Sequence, residues 1–279
     1  MNILSIQSHV AYGHVGNSAA VFALQRLGVE VWPIHTVALS NHPGYGEYRG
    51  RLSDAAAVRD LLAGLAGRNV LGTCDSVLSG YLGSAEIGTE VLAAVGKVKA
   101  ANPAARYCCD PVIGDAGRVY VADDVAELMR TRALPTADVV TPNQFELEFL
   151  SRRTSATLDD ALAAIDTLHA SGPPVVLVTA LAMAETPRDA IDLIVSAPEG
   201  RHRVRTPKLT IAANGAGDAI AALFFAHWLR TGSAAVALSR AASSVFGILR
   251  RTGEACEMLL VEAQDEIVAP TTLFRPEPI

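Results

Sequence analysis

Positive charge is thin in this sequence. Its 279 residues include only three lysines, Lys97, Lys99 and Lys208, and the net charge is −6. The arginines are scattered rather than clustered. A nucleic-acid partner needs a basic patch or stripe, so that class of partner is not expected. No apolar run reaches the roughly 18–20 residues that a bilayer-spanning helix requires, so no membrane span is expected. The first residues, Met1-Asn2-Ile3-Leu4-Ser5-Ile6-Gln7, lack the basic region and long apolar core of a secretory leader. They read as a strand. The four cysteines, Cys74, Cys108, Cys109 and Cys256, fit no zinc spacing. Cys108 and Cys109 lie in an apolar segment, where buried free thiols are common. A reducing cytoplasm is the simplest setting. No Gly-x-Gly-x-x-Gly follows the first strand, which argues against a nicotinamide dehydrogenase. Repeats, low-complexity tracts and breaks in composition are also lacking, so residues 1–279 read as one domain.

What is present is a long alternation of strand-like and helix-like segments. Strands are predicted at Ile3–Ile6, Val29–Val37, Ser76–Ser79, Arg106–Cys109, Asp138–Val140 and Val175–Val178. A hairpin is predicted from Ile191–Ser196 and Arg201–Arg205. Helices are predicted from Asn17, as cap, to Leu27 with Gly28 as the stop, over Asp54–Leu65, Ala85–Ala100 and Val125–Arg130, near Glu146, and over Leu158–Ala170, Ala216–Leu229 and Ala234–Leu249. Such alternation argues an α/β fold with a mostly parallel sheet and helices on both faces. The polar, glycine-rich stretch 41–51 reads as a lid or a hairpin at one sheet edge.

The strongest chemical signal is Asn214-Gly215-Ala216-Gly217-Asp218, which runs directly into the apolar stretch 219–225. The first amides of a helix have no partner inside it and can hold an anion. Glycine lets that backbone approach closely. Backbone donors beside a carboxylate suggest phosphoryl transfer to a hydroxyl. A tight connection with a dipole-favoured aspartate accounts for the pentapeptide alone equally well.

In open α/β sheets, ligands bind beyond the carboxyl ends of the strands. The first such junction is the polar stretch 7–17, where Ser8 is placed to hydrogen-bond a ligand. For His9 and His14, packing or capping is favoured over catalysis. The junctions from Thr36 to His42 and from Ser79 to Ser84 follow. Tyr81 either walls an aromatic pocket or anchors a turn. Asp110 ends the next strand, and Pro111 forces the chain out of helix. Asn143 and Glu146 are spaced i,i+3 and share a helix face. With Asp110 they offer oxygens suited to Mg²⁺, reached through its waters. A capping box explains Asn143 and Glu146 without any metal, but leaves Asp110 unaccounted for.

Taken in order, these segments resemble the ribokinase-like superfamily, and within it the pyridoxal kinases of bacterial vitamin B6 salvage. The resemblance covers nearly the whole chain. It is carried by residues 6–10 and 13–17, Trp32-Pro33, Thr36-Val37, Ser40-Asn41-His42, residues 78–84, Asp110-Pro111-Val112-Ile113-Gly114, Thr141-Pro142-Asn143 with Glu146-Leu147, and Gly215-Ala216-Gly217-Asp218. It implies a three-layer α/β/α sandwich and a homodimer. It implies pyridoxal near Ser8, Thr36 and Tyr81, with its 5′-hydroxymethyl at Asp218 as base. The amides of Gly215, Ala216 and Gly217 would hold the transferring phosphoryl group. Asp110 and Glu146 would organise Mg²⁺, and with Asn143 the ATP phosphates. Thr141, Thr179, Thr206, Pro207, Lys208 and Leu209 would line the nucleotide side.

The chain departs from that pattern in three places. Thr179 stands where some relatives carry a lysine. The loop 115–120 is shorter than expected and lacks a cysteine. Pro43-Gly44 replaces polar side chains. A hydroxymethylpyrimidine or other small-alcohol kinase of the same fold is the nearest rival. A non-catalytic vitamer-binding protein is another, although a mere binder needs no base.

Overall fold

A computed structural model of the protein describes residues 1–211 and 213–279. In chain order it runs β1 (Asn2–Val10), α1 (Asn17–Arg26), β2 (Glu30–Leu39), β3 (Gly50–Leu52), α2 (Ala55–Gly67), β4 (Ser76–Ser79) and α3 (Ala85–Ala101). Next come β5 (Arg106–Cys109), the short hairpin β6 (Gly114–Asp115) and β7 (Arg118–Val119), α4 (Asp123–Leu128) and α5 (Leu134–Thr136). The chain continues through β8 (Val139–Val140), α6 (Gln144–Ser151), α7 (Leu158–Ser171), β9 (Val175–Leu181), β10 (Ala190–Ala197) and β11 (Gly200–Pro207). It closes with α8 (Ala216–Thr231), α9 (Ala234–Thr252), α10 (Asp265–Val268) and β12 (Glu277–Pro278).

One ten-stranded sheet organises the molecule, in the order β12-β11-β10-β9-β8-β5-β4-β1-β2-β3. The central run from β9 to β2 is parallel. Antiparallel strands flank it, β10–β12 on one side and β3 on the other. Strand alternation divides the core in two. Leu4, Ile6, Val140, Val176 and Val178 face a cluster closed by residues of α2–α7. Ile3, Val139, Val175 and Leu177 face the opposite cluster, built on α1, α8 and α9. This is the three-layer sandwich.

Two expectations change in detail. The stretch 41–51 resolves into a 3₁₀ turn at Pro43–Tyr45 and then β3, which pairs antiparallel with the end of β2. The hairpin alternative therefore holds there. Asn17 does not cap α1. Gly16, at φ 54°, precedes the helix, and no side chain caps it. The Asn17 side chain points inward instead. It accepts from Ser5 Oγ at 2.7 Å and donates to the Ile34 carbonyl at 3.0 Å. It thus ties β1 and β2 together beneath the first junction. Gly28 does stop the helix, in the left-handed region at φ 73°.

Asn17→Ala should lower folding stability by about 2–4 kcal/mol, because two buried groups lose a bond whose absence costs ~1–3 kcal/mol each. Urea denaturation measures it. A change within about 0.5 kcal/mol, as for ordinary surface sites, would show the network to be dispensable.

Candidate active site

The carboxyl ends of β1, β4, β5 and β8 meet the start of α8, and here the polar residues gather. Asp110 follows β5 and is buried. Its amide donates to the Ser79 carbonyl at 2.8 Å, which fixes the turn away from the strand. The Thr141 hydroxyl donates to Asp110 Oδ1 at 2.7 Å. Burial, then the charges of Glu146 and Asp218, pushes the Asp110 carboxyl well above the ordinary carboxylate range, against the Thr141 bond. The three acids therefore lie within electrostatic reach of one another.

Glu146 is buried on the first turn of α6. The capping box is present: Asn143 Oδ1 accepts from the Glu146 amide at 2.9 Å, and Glu146 Oε2 accepts from the Asn143 amide at 3.0 Å. Glu146 does more than close this box. Its Oε1 accepts from the amides of Ile113 and Gly114 at 2.9 and 3.3 Å. The carboxylate thus fastens the root of the β6–β7 hairpin to α6. Asn143 Nδ2 adds a bond to the Gly114 carbonyl at 2.8 Å. Burial raises the Glu146 carboxyl to about 7, opposed by those backbone amides.

Asp218 occupies the first turn of α8 and is partly exposed. Burial of its carboxyl raises it to about 6, and the amides of Gly16 and of Asp218 itself pull it back down. Gly215 precedes the helix at φ 96°. A Cβ there would stand 1.8 Å from the His14 carbonyl oxygen, so only glycine fits. Among the described residues, no lysine or arginine pairs with Asp110, Glu146 or Asp218. Nor do three His, Cys, Asp or Glu side chains there come together as a complete metal cage. The unpaired charge nevertheless suits a hydrated Mg²⁺, which keeps several waters and takes phosphate oxygens as ligands.

Ser8 is half-buried. Its hydroxyl lies 2.4 Å from where a Gly16 Cβ would stand, so it neighbours the backbone that supports Asp218. Thr36 is fully buried and donates to the Tyr81 carbonyl at 2.6 Å. Its hydroxyl fixes the loop that carries Tyr81. Tyr81 is half-buried, and burial raises its phenol.

On the other side of the anion turn lies an apolar cavity of about 270 Å³. Thr179, Thr206, Pro207 and Leu209 line it, and so do Ala216 and Gly217 of the turn itself. Lys208 does not. It is exposed, and its amide donates to the Asp189 carbonyl. Ile191 and Thr206, cross-strand partners, face the cavity. Their neighbours Asp192 and Arg205 are also partners, and lock the strands through two bonds of 2.7 Å. The far wall comes from α9, with Ala242, Val245 and Phe246. These were not identified from sequence, where they read simply as the core-facing side of an amphipathic helix.

A model of the phosphomethylpyrimidine kinase family matches residues 70–258. The chain is 53% identical to pyridoxal kinase PdxY of Granulibacter bethesdensis, over 98% of both proteins. The chain belongs to the pyridoxal kinase family. A second relative of that name, from Rubrobacter xylanophilus, is 51% identical over 98% of this chain and 96% of its own length. Among solved pyridoxal kinases, that of Leishmania donovani in complex with ADP and pyridoxamine aligns with a TM-score of 0.92. The two are 30% identical, covering 100% of this chain and 99% of the other. Membership accounts for the sandwich fold.

The Glu146 carboxyl gives a measurable consequence. A buried acid whose folded value is raised favours the proton-bound folded state. Its contribution is present at low pH and is lost as pH rises through about 7. The ligand-free protein should therefore melt lower at about pH 8 than at about pH 6, with a shallower slope in Glu146→Gln. An unchanged slope in the variant would show that Glu146 does not titrate in this window.

Proposed function

We propose that the protein is an ATP-dependent pyridoxal kinase, which phosphorylates the 5′-hydroxyl of pyridoxal to give pyridoxal 5′-phosphate in vitamin B6 salvage. The observation that carries this reading is Asp218, a carboxylate on the first turn of α8, set between the Ser8–Gly16 junction and the apolar cavity. The vitamer lies on the Ser8 and Tyr81 side, with Thr36 holding the Tyr81 loop. The adenine enters the cavity beside Thr179, Thr206, Pro207 and Leu209, and Lys208 stands outside on the same strip. Asp218 takes the proton of the 5′-hydroxyl as its oxygen bonds to the terminal phosphorus. The amides of Gly215, Ala216 and Gly217 hold the phosphoryl oxygens as their charge develops.

Asp110 and Glu146 supply the charge that would hold Mg²⁺ through its waters, with Thr141 and Asn143 fixing the two acids. When bound, the metal neutralises charge on the nucleotide phosphates. One kinase domain over residues 1–279, a homodimer and a cytoplasmic setting complete the proposal. Exposed Tyr12, Tyr48 and Leu52 near the β3 edge support self-association. No helix among the described residues is long and apolar enough to cross a membrane.

The test is product formation from ATP, Mg²⁺ and each vitamer, with hydroxymethylpyrimidine as the competing alcohol. Faster turnover of the pyrimidine would overturn the pyridoxal assignment. Asp218→Asn should bind both substrates yet lose at least ~10²-fold in kcat, the usual cost of removing a general base. A base must be ionised, so wild-type kcat should fall on acidification below about pH 6. Near-normal turnover of Asp218→Asn would rule out the base.

Ala242→Phe should fill the cavity wall and raise KM for ATP more than for pyridoxal. An effect on pyridoxal alone would place the nucleotide elsewhere.

A further inference from the structure

The phosphate end of this site is rich in acid and poor in base. Asp110, Asp115, Glu146 and Asp218 stand there without an ion-pair partner among the described residues. The side chains that line the cavity are all uncharged. A nucleoside triphosphate adds several more negative charges, and phosphoryl transfer proceeds by stabilising them. Backbone amides provide part of that, but among the described residues no cationic side chain is paired with these acids.

One arginine is positioned to supply the charge. The β6–β7 hairpin turns at Ala116-Gly117, both at positive φ (48° and 80°). Asp115 and Arg118 are directly opposite in the ladder, so their side chains stand on one face. This pair directly follows Gly114, whose amide and carbonyl are bonded to Glu146 and Asn143, so the hairpin stands beside the acids. Tyr120 stands in the same group: burial raises its phenol, Asp115 and Glu146 add to that push, and Arg118 opposes it. The root of the hairpin is fastened to Glu146 and Asn143 by three hydrogen bonds. Its tip is open. Arg118 is exposed and makes no ion pair among the described residues, not even with Asp115. Val119 and Tyr120 beside it are 43% and 52% exposed.

We propose that Arg118 is the cation that grips the terminal phosphate of the nucleotide, delivered by the β6–β7 hairpin. The assignment rests on the kinase reading above. A guanidinium suits the role because its planar fork donates two parallel bonds to a phosphate and stays charged throughout. In the transfer step, the 5′-oxygen bonds to the terminal phosphorus and the bond from phosphorus to the bridging oxygen breaks. The bond's electron pair leaves with ADP, and the hydroxyl proton goes to Asp218. Arg118 gives up no proton. It binds the group in flight and so counts as a catalytic residue.

The test compares ATP with ADP. Equilibrium binding of both nucleotides, with Mg²⁺, is measured on the wild type, Arg118→Ala and Arg118→Lys, together with steady-state turnover of pyridoxal. Arg118→Ala should lose roughly 10²-fold in kcat/KM for ATP, the scale of one preorganised donor. ATP binding should weaken while ADP binding holds. Arg118→Lys should recover part of the loss, and added guanidinium ion should partly restore Arg118→Ala. Normal ATP kinetics in Arg118→Ala would overturn the assignment and leave the kinase reading standing. Equal weakening of ATP and ADP would overturn it too, since the contact would then lie away from the terminal phosphate. Failure of the wild type to turn over any vitamer would overturn the kinase reading and this assignment together.

Discussion

Three carboxyl groups, Asp110, Glu146 and Asp218, share one end of the sheet with no paired lysine or arginine among the described residues, and the local architecture follows from keeping them there. A buried acid without a counter-charge costs free energy unless it is protonated or hydrogen-bonded. Here neutral donors hold each one. Thr141 serves Asp110, three backbone amides serve Glu146, and the Gly16 and Asp218 amides serve Asp218. Neutral donors orient a carboxylate without cancelling its charge, as a lysine would. The negative field remains available for a cation that arrives with the nucleotide. Burial, and then this field, raises the Asp110 carboxyl.

Rigidity behind the acids comes from the two-sided core. Asp218 is carried by α8, whose Phe224 and Phe225 are fully buried against the sheet. Asp218 therefore rides on a helix packed firmly against the sheet. Asp110 is held differently. It follows the central strand β5, whose Cys108 and Cys109 face opposite core clusters. Placing catalytic side chains at the ends of buried elements limits their drift, which transfer between two held substrates requires. The β6–β7 hairpin is exposed at its tip and tethered at its root.

Much of this was legible in the sequence, for physical reasons that particular residues illustrate. Strands Ser76–Ser79 and Arg106–Cys109 end where the sequence turns from apolar to Gly80 and Asp110-Pro111. Such punctuation is local, so it reads directly. The capping box at Asn143 and Glu146 is local too. What sequence could not supply depends on distant segments. Asn17 looked like a cap because asparagine caps helices. Its side chain is claimed instead by Ser5 and Ile34, one on each of two strands. Thr36 looked like a ligand contact, yet its hydroxyl meets the Tyr81 carbonyl 45 residues away. The helix Ala234–Leu249 is legible in the sequence, but nothing in its pattern marks Phe246 as bordering a cavity.

The motifs that carried the sequence argument are linked by one close approach. Gly13-His14-Val15-Gly16-Asn17 and Asn214-Gly215-Ala216-Gly217-Asp218 lie about two hundred residues apart. In space, the His14 carbonyl presses where a Gly215 side chain would be, and the Gly16 amide supports the Asp218 carboxyl. The glycines at 16 and 215 are thus two sides of one backbone contact, each at a positive φ. Ser8 leans against Gly16 on one side, and Ala216 and Gly217 wall the apolar cavity on the other. A Cβ at Gly215 would press on the His14 carbonyl and part the two junctions, and one at Gly16 would press on Ser8 within the first of them. That contact sets the spacing between the two halves of the site, and the carboxylate of Asp218 stands at their meeting point.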